Sequence, residues 1–274
     1  MGLRPYRGVR QDKRELPHVK FEAKPVVLKI GGGALAGGAL EDLPGLLASE
    51  TPVALVHGGG QQLTRMLGML DIQTEFREGL RVTDEAAMRV AEMIFAGEVN
   101  KALVRELYAM GVPAVGISGT DGPTMRVEPV PGLGRVGSVA KVEPKLVETL
   151  WSGGFVPVIA PVGLGPEGAY NVNADSAAAA LAVGLNAGHL FFLTDVDGLL
   201  YDDEAVPSLG PEECEGYVRS GLAVGGMVPK LRAAADAARE GVAARIVNGN
   251  KRGSLARAMA GEKIGTLISE GVAA

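Results

Sequence analysis

The chain has 274 residues, 47% of them apolar, 22% charged and 4% aromatic, enough apolar material for one or two packed cores, which excludes general disorder. Its net charge of −5 argues against a nucleic-acid binder, whose affinity rests on a concentrated basic face. Cys214 stands alone and His18, His57 and His189 are scattered, so neither a disulfide framework nor a Cys/His zinc centre is available, and a cytosolic setting fits.

Residues 1–24 carry seven Lys/Arg against three Asp/Glu but lack the apolar core of a signal peptide, and read as a solvated basic tail. The longest apolar run, Ala177 to Leu185, falls short of the roughly 18 residues of a membrane span. From Pro25 onward short β-branched runs alternate with longer amphipathic stretches, which predicts an α/β fold with a mostly parallel sheet. The expected buried strands are Val26 to Ile30, Val53 to His57, Ala114 to Ser118, Phe155 to Ala160, His189 to Thr194 and Ala243 to Asn248. Helices are expected at about Leu40 to Ala48, Gln61 to Leu70, Asp84 to Met110 with a break near Gly97, Lys145 to Trp151, Asp175 to Leu185, Pro229 to Glu240 and Ser254 to Ala260. The polar, Gly- and Pro-rich stretch between Thr124 and Val142 reads as a surface β-hairpin.

Lys29 interrupts the first strand and is followed at once by Gly31, Gly32 and Gly33. It is either a strand-end lysine reaching water or a cation held for an anion at the carboxyl end of a parallel strand, where α/β sheets place ligands. The second strand repeats the arrangement, with Gly58, Gly59 and Gly60 leading into a helix whose N-terminus favours anions. Neither loop has the spacing of a phosphate loop or a dinucleotide fingerprint. Gly225, Gly226 and Met227 precede Pro229, placed by its chemistry at the first helical position, and Lys230 then sits against the helix dipole, a conflict that a bound phosphate resolves. Asn171, Asn173 and Asp175 alternate ahead of an Ala-rich helix and project to one side if extended, although Asp175 also suits an N-cap. Arg81, just before a helix capped by Thr83 or Asp84, suits a carboxylate or is a surface residue. The acidic run from Asp195 lacks calcium-loop spacing, since Gly198 comes too early. His57 reads as a structural histidine, and Cys214, among Glu212, Glu213 and Glu215, as a thiol of raised pKa.

The Lys29-to-Gly32 strand end, His57-Gly58-Gly59-Gly60, Gly79-Leu80-Arg81-Val82-Thr83, Asn171-Val172-Asn173-Ala174-Asp175 and Gly226-Met227-Val228-Pro229-Lys230, in this order, resemble the amino acid kinase family. The likeness runs from about Val26 to Ile268, and Gly97-Glu98-Val99-Asn100-Lys101 and Ser118-Gly119-Thr120-Asp121-Gly122 share in it. It implies an αβα sandwich with two lobes, 25–170 for the amino-acid substrate and dimer contacts and 171–274 for ATP. It further implies transfer of the ATP γ-phosphoryl group to the γ-carboxylate of N-acetyl-L-glutamate in arginine biosynthesis. Lys29 and Lys230 would neutralise the moving group and Asp175 would orient both lysines. Gly59, Gly60, Arg81, Asn171 and Asn173 would hold the acyl amino acid, with Arg81 on its α-carboxylate. Gly31, Gly32, Gly33, Thr194, Asp195, Gly198, Gly225, Gly226 and Met227 would form the nucleotide side, with Mg²⁺ arriving on ATP rather than in a protein metal site.

A carboxylate nucleophile, with a reference pKa of about 4.3, is already ionised near pH 7 and needs no general base. Such a site must supply positioning and positive charge, which two lysines and glycine loops provide. The family also holds a kinase of carrier-protein-bound aminoadipate in lysine biosynthesis, and a non-catalytic ligand-binding member is the alternative of another class. Arginine-inhibited members resemble one another in a long N-terminal helix that interlaces dimers into a hexamer. Here Pro5 and Pro17 interrupt that stretch, and Lys251 and Arg252 stand where the inhibited enzymes usually carry a histidine, so a homodimer insensitive to arginine is expected.

Overall fold

In the computed structural model the described residues are 22–31, 38–202 and 204–271. Nearly all of the basic tail, together with Gly32 and Gly33, lies outside them.

An eight-stranded sheet runs in the order Ser208–Leu209, Thr266–Ile268, Ala243–Asn248, His189–Thr194, Val26–Ile30, Val53–His57, Val156–Ala160 and Ala114–Ser118. Every neighbouring pair is parallel except Ala243–Asn248 with Thr266–Ile268. Five of the six expected strands keep their bounds, and the other starts one residue later, at Val156. All five residues of Val26–Ile30 are buried, as a strand with helices on both faces requires.

The period of two decides which face each side chain serves. Val26, Leu28 and Ile30 join a core cluster with Leu43, Leu103, Leu107 and Leu255, beneath the helices Leu43–Ala48, Asn100–Ala109 and Ser254–Met259. Val27 joins the opposite cluster with Ala177, Ala178, Leu231 and Ala234, from the helices Ala174–Gly184 and Met227–Arg239. Lys29 shares the parity of Val27 and points toward those two Ala-rich helices. Small buried side chains let the two helices approach each other closely, which brings their N-termini together over the carboxyl end of the first strand.

Several expectations need correction. The long helix does not break at Gly97. It passes from Glu85–Glu92 through a π-helical segment, Met93–Val99, into Asn100–Ala109, so the glycine sits within a widened turn. Pro229 is the third rather than the first helical residue, because the helix begins at Met227 after Gly226. The hairpin Met125–Pro129 with Val136–Val142 forms, but it is no mere surface flap. With Val162–Gly165 and Gly168–Val172 it closes a four-stranded barrel that buries Met125, Val127 and Val136. Those two later strands, the helix Pro211–Arg219 and the strand Thr266–Ile268 have no counterpart in the sequence reading.

Candidate active site

A cavity of about 570 Å³ opens at the carboxyl ends of the three adjacent strands that end at Ile30, His57 and Thr194. Lys29, Asp175 and Lys230 meet on its wall. Lys29 Nζ lies 2.8 Å and Lys230 Nζ 3.3 Å from the same oxygen, Asp175 Oδ1. The two ammonium groups therefore lie within about 6 Å of one another. All three side chains are only 9% exposed.

Asp175 is the second residue of the helix Ala174–Gly184, where the helix dipole favours its charge. It is not the N-cap. Asn173 takes that place, its Oδ1 accepting the amides of Asp175 and Ser176 at 2.9 and 3.1 Å. Burial opposes ionisation of Asp175, but Lys29 and Lys230 outweigh it and hold the carboxyl below its ordinary range. Burial, then repulsion from Lys29, pushes Lys230 below the usual lysine range, with Asp175 opposing both. Lys230 Nζ also stands 5.6 Å from the ring centre of buried Phe192, a favourable cation–π distance. Two lysines on one carboxylate leave a net charge of +1 on three side chains that are themselves largely buried.

Arg81 is a buried guanidinium rather than a surface residue. It sits in a two-residue strand, Leu80–Arg81, paired with Phe76–Arg77. Nη1 donates to Thr74 Oγ1 at 2.8 Å and Nη2 to Thr64 Oγ1 at 2.6 Å, while the group stacks 4.6 Å above Phe76. Among the described residues no carboxylate pairs with it, so its charge is held in place by hydroxyls and left for an anion. Asp84, not Thr83, caps the following helix, its Oδ1 accepting the Ala87 amide at 2.7 Å. Thr83 instead accepts from Asn171 Nδ2 at 3.1 Å and ties the hairpin loop to the Arg81 segment through the bridge to Gly134.

Gly58, Gly59 and Gly60 line the same cavity. Gly59 has φ of 148°, and a Cβ there would stand 2.9 Å from Phe95 Cδ1, so glycine is needed for both conformation and space. Gly60 opens the helix Gly60–Met69.

The cavity thus brings together Lys29, Lys230, Asp175, Gly59, Gly60, Arg81, Asn171 and Asn173, with Gly31, Thr194, Asp195 and Gly226 from the expected nucleotide side. Gly225 and Met227 flank Gly226 without lining it. Gly198, φ 146°, packs against Thr266, where a Cβ would approach Oγ1 to 2.7 Å. Gly32 and Gly33 lie outside the described residues. Thr64, Thr74 and Phe76, which fix Arg81, were missed by the sequence reading. Nothing local marks them, because their common partner arrives only through the fold.

His57 is fully buried and neutral, its pKa lowered to about 4 chiefly by burial. Cys214 is raised to about 11, with burial rather than its acidic neighbours as the leading cause. Lys251 and Arg252, expected to repel a cationic effector, are each ion-paired, Lys251 with Asp197 at 2.7 Å and Arg252 with Glu41.

Residues 24–248 match the amino acid kinase family as a whole. The chain belongs to that family. It is 68% identical over 247 residues to the acetylglutamate kinase of Rubrobacter xylanophilus, covering 90% of this chain and 98% of that one. With the acetylglutamate kinase of Halalkalibacterium halodurans the identity is 42%, covering 90% and 96% of the two chains. The solved structure of smu.665 from Streptococcus mutans superposes with a TM-score of 0.80 at 25% identity, covering 89% of this chain and 98% of that one. In this family member, then, an open cleft holds two buried lysines and one buried arginine, with a single carboxylate to share between the lysines.

Proposed function

We propose that this member of the family transfers the γ-phosphoryl group of ATP to the γ-carboxylate of N-acetyl-L-glutamate, forming an acyl phosphate and ADP. The observation that carries this is the pairing of Lys29 and Lys230 on one oxygen of Asp175, in a cleft that also holds Arg81. The identity to acetylglutamate kinases supports the choice of substrate.

The reacting carboxylate arrives ionised and attacks phosphorus directly, so no side chain has to accept a proton. Negative charge spreads over the phosphoryl oxygens as the bond to ADP loosens, and Lys29 and Lys230 meet it from preset positions. Asp175 keeps the two cations together before the anion arrives. Arg81 would bind the α-carboxylate in a fork, held by Thr64 and Thr74, while Asn171 and the amides of Gly59 and Gly60 orient the rest of the acceptor. Asn173 serves indirectly, by capping the helix that presents Asp175. Thr194, Asp195 and the Gly225-to-Met227 turn would face the nucleotide, with Gly31 toward its phosphates and Gly198 shaping the loop behind.

Magnesium would come on ATP. In the cleft the carboxylates among the described residues are Asp175, committed to two lysines, and Asp195, so phosphate oxygens and water would hold most of the ion. Lobes 25–170 and 171–274 divide acceptor from nucleotide in this reading, and the enzyme works in the cytosol as a homodimer. Arginine does not inhibit it, a reading that now rests on the prolines of the N-terminal stretch, since the cations near the C-terminus are neutralised by Asp197 and Glu41. Light scattering with and without arginine, alongside an inhibition titration, tests this: a hexameric mass or saturable inhibition refutes it.

The activity itself is tested by hydroxylamine trapping of the acyl phosphate from ATP and N-acetyl-L-glutamate, beside free glutamate and aspartate. A hydroxamate formed chiefly from the acetylated substrate supports the assignment. Preference for free glutamate, or no turnover at all, refutes it.

A further inference from the structure

Beneath the Gly58-Gly59-Gly60 loop lies a polar chain, buried at His57 and Asn100 and exposed at Lys101, that the proposed reaction leaves unused. Lys101 Nζ donates to Asn100 Oδ1 at 2.9 Å and to the Gly116 carbonyl at 2.8 Å. Asn100 is fully buried, and its Nδ2 stands 3.1 Å from His57 Nε2, 2.9 Å from the Val158 carbonyl and 3.3 Å from the Ile117 carbonyl. His57 Nδ1 is 2.7 Å from the carbonyl of Gly58.

These contacts settle the protons. An ammonium only donates, so it fixes the amide oxygen of Asn100 toward Lys101 and turns the Asn100 NH₂ toward His57. The Gly58 carbonyl can only accept, so in the neutral ring the proton must be on Nδ1, from which it is donated to Gly58, and Nε2 is left as an acceptor facing the Asn100 NH₂. In a planar trans peptide the carbonyl oxygen and the following N–H point in opposite directions. Holding the Gly58 oxygen inward therefore turns the Gly59 amide outward, on the side of the cavity that Gly58 and Gly59 both line. Among the described residues no acceptor takes that amide.

Two further features are built around the chain. Residues five apart lie roughly 140° apart around a regular α-helix. The π-helical Met93–Val99 alters that angle, and Phe95 packs against Gly59 while Asn100 lies under His57. Gly116 has no side chain to offer, and a Cβ there would come within 1.9 Å of Asn100 Oδ1.

We propose that Lys101, Asn100 and His57 form a positioning relay that pins the Gly58 carbonyl inward and so aims the Gly59 amide at the acceptor carboxylate and the phosphoryl group it receives. The proposal rests on the reaction given above for the identity of that group. His57 acts through the backbone, as a positioning residue.

Two substitutions separate this role from mere filling of space. In His57→Asn the side-chain amide nitrogen replaces Nδ1 and still donates to Gly58. In His57→Gln, closer to histidine in volume, a polar atom replaces Nε2 and the donor to Gly58 is lost. Removing one preorganised donor typically costs about 10²- to 10³-fold in kcat, and a loosened one less, so His57→Gln should lose about 10-fold or more. His57→Asn should stay within about 3-fold of the parent, with KM for ATP unchanged in both. Glutamine equal to or better than asparagine overturns the relay, since only volume would then matter. Should neither variant fold, ¹⁵N NMR of the histidine rings in the unmodified protein decides: a neutral His57 protonated at Nδ1 supports the relay and one protonated at Nε2 overturns it. Absence of turnover on N-acetyl-L-glutamate by the unmodified enzyme refutes the assigned reaction instead, and the ring tautomer still judges the relay.

Discussion

Replacing Asp175 by Asn keeps the shape of the helix start and removes the carboxylate that Lys29 and Lys230 share. Their ammonium groups, within about 6 Å of each other, would then repel by roughly 3 kcal/mol at an effective dielectric constant of about 20. Stranding buried charges by deleting their partner commonly costs about 3 to 5 kcal/mol of stability, and a loss of that size is expected near pH 7. The pH dependence has a definite sign. Lys230 already titrates below an ordinary lysine, and without Asp175 it falls further, so in alkali the unfolded chain binds more protons than the native one. The stability deficit should therefore shrink as pH rises from about 7 to about 9.5. Urea unfolding at both pH values measures it. In kinetics the triad charge rises from +1 to +2, so KM for ATP should hold or fall while kcat drops by about 10²-fold as the lysines lose their alignment. Unchanged stability near neutrality, or a deficit that grows with pH, would refute the shared-carboxylate account.

Lys29→Ala and Lys230→Ala should each lose about 10²- to 10³-fold in kcat, with modest change in KM for the acceptor; steady-state rates that stay intact remove that lysine from the mechanism. Arg81→Ala should act mainly on KM for N-acetyl-L-glutamate, raising it by about 10-fold or more through loss of a ground-state ion pair, and calorimetric binding of the acceptor without nucleotide checks this. His57, with a native pKa of about 4 against 6.5 when unfolded, makes stability fall as pH drops through that window, by about 3 kcal/mol in all. His189 adds to the same slope. Urea titrations at several pH values should show a shallower slope in His57→Asn, and an identical slope would mean that His57 is protonated in the native state.

The sheet was legible in the sequence because its strands are short, nearly continuous apolar runs, and Lys29 stood out by breaking one. The glycine loops, Asp175, Lys230 and Arg81 were legible as motifs, since each places an unusual residue at a strand end or a helix start. The helix Pro211–Arg219 was not, because its sequence is rich in glutamate and only Cys214 is buried, leaving no apolar stripe to detect. The π-helical turn was read as a break because glycine in a helical pattern carries the same signal for both. The partners of Arg81 escaped for another reason. Thr64 lies in the helix Gly60–Met69 and Thr74 in the loop after it, and nothing but the closed fold brings them to one guanidinium.

Lys29 belongs to the middle of the sheet, with Phe192 and Val56 as its neighbours in register on either side. Arg81 belongs to a pair of two-residue strands at the rim, three of whose four residues are not buried. The first can be displaced only by opening the whole sheet, whereas the second can detach through a small local fluctuation. The two ends of one cleft thus differ in how much free energy it takes to undo them. In gently rising denaturant the grip on the acceptor should slacken while the phosphoryl-handling end is still intact, so that KM for the amino acid climbs before kcat begins to fall.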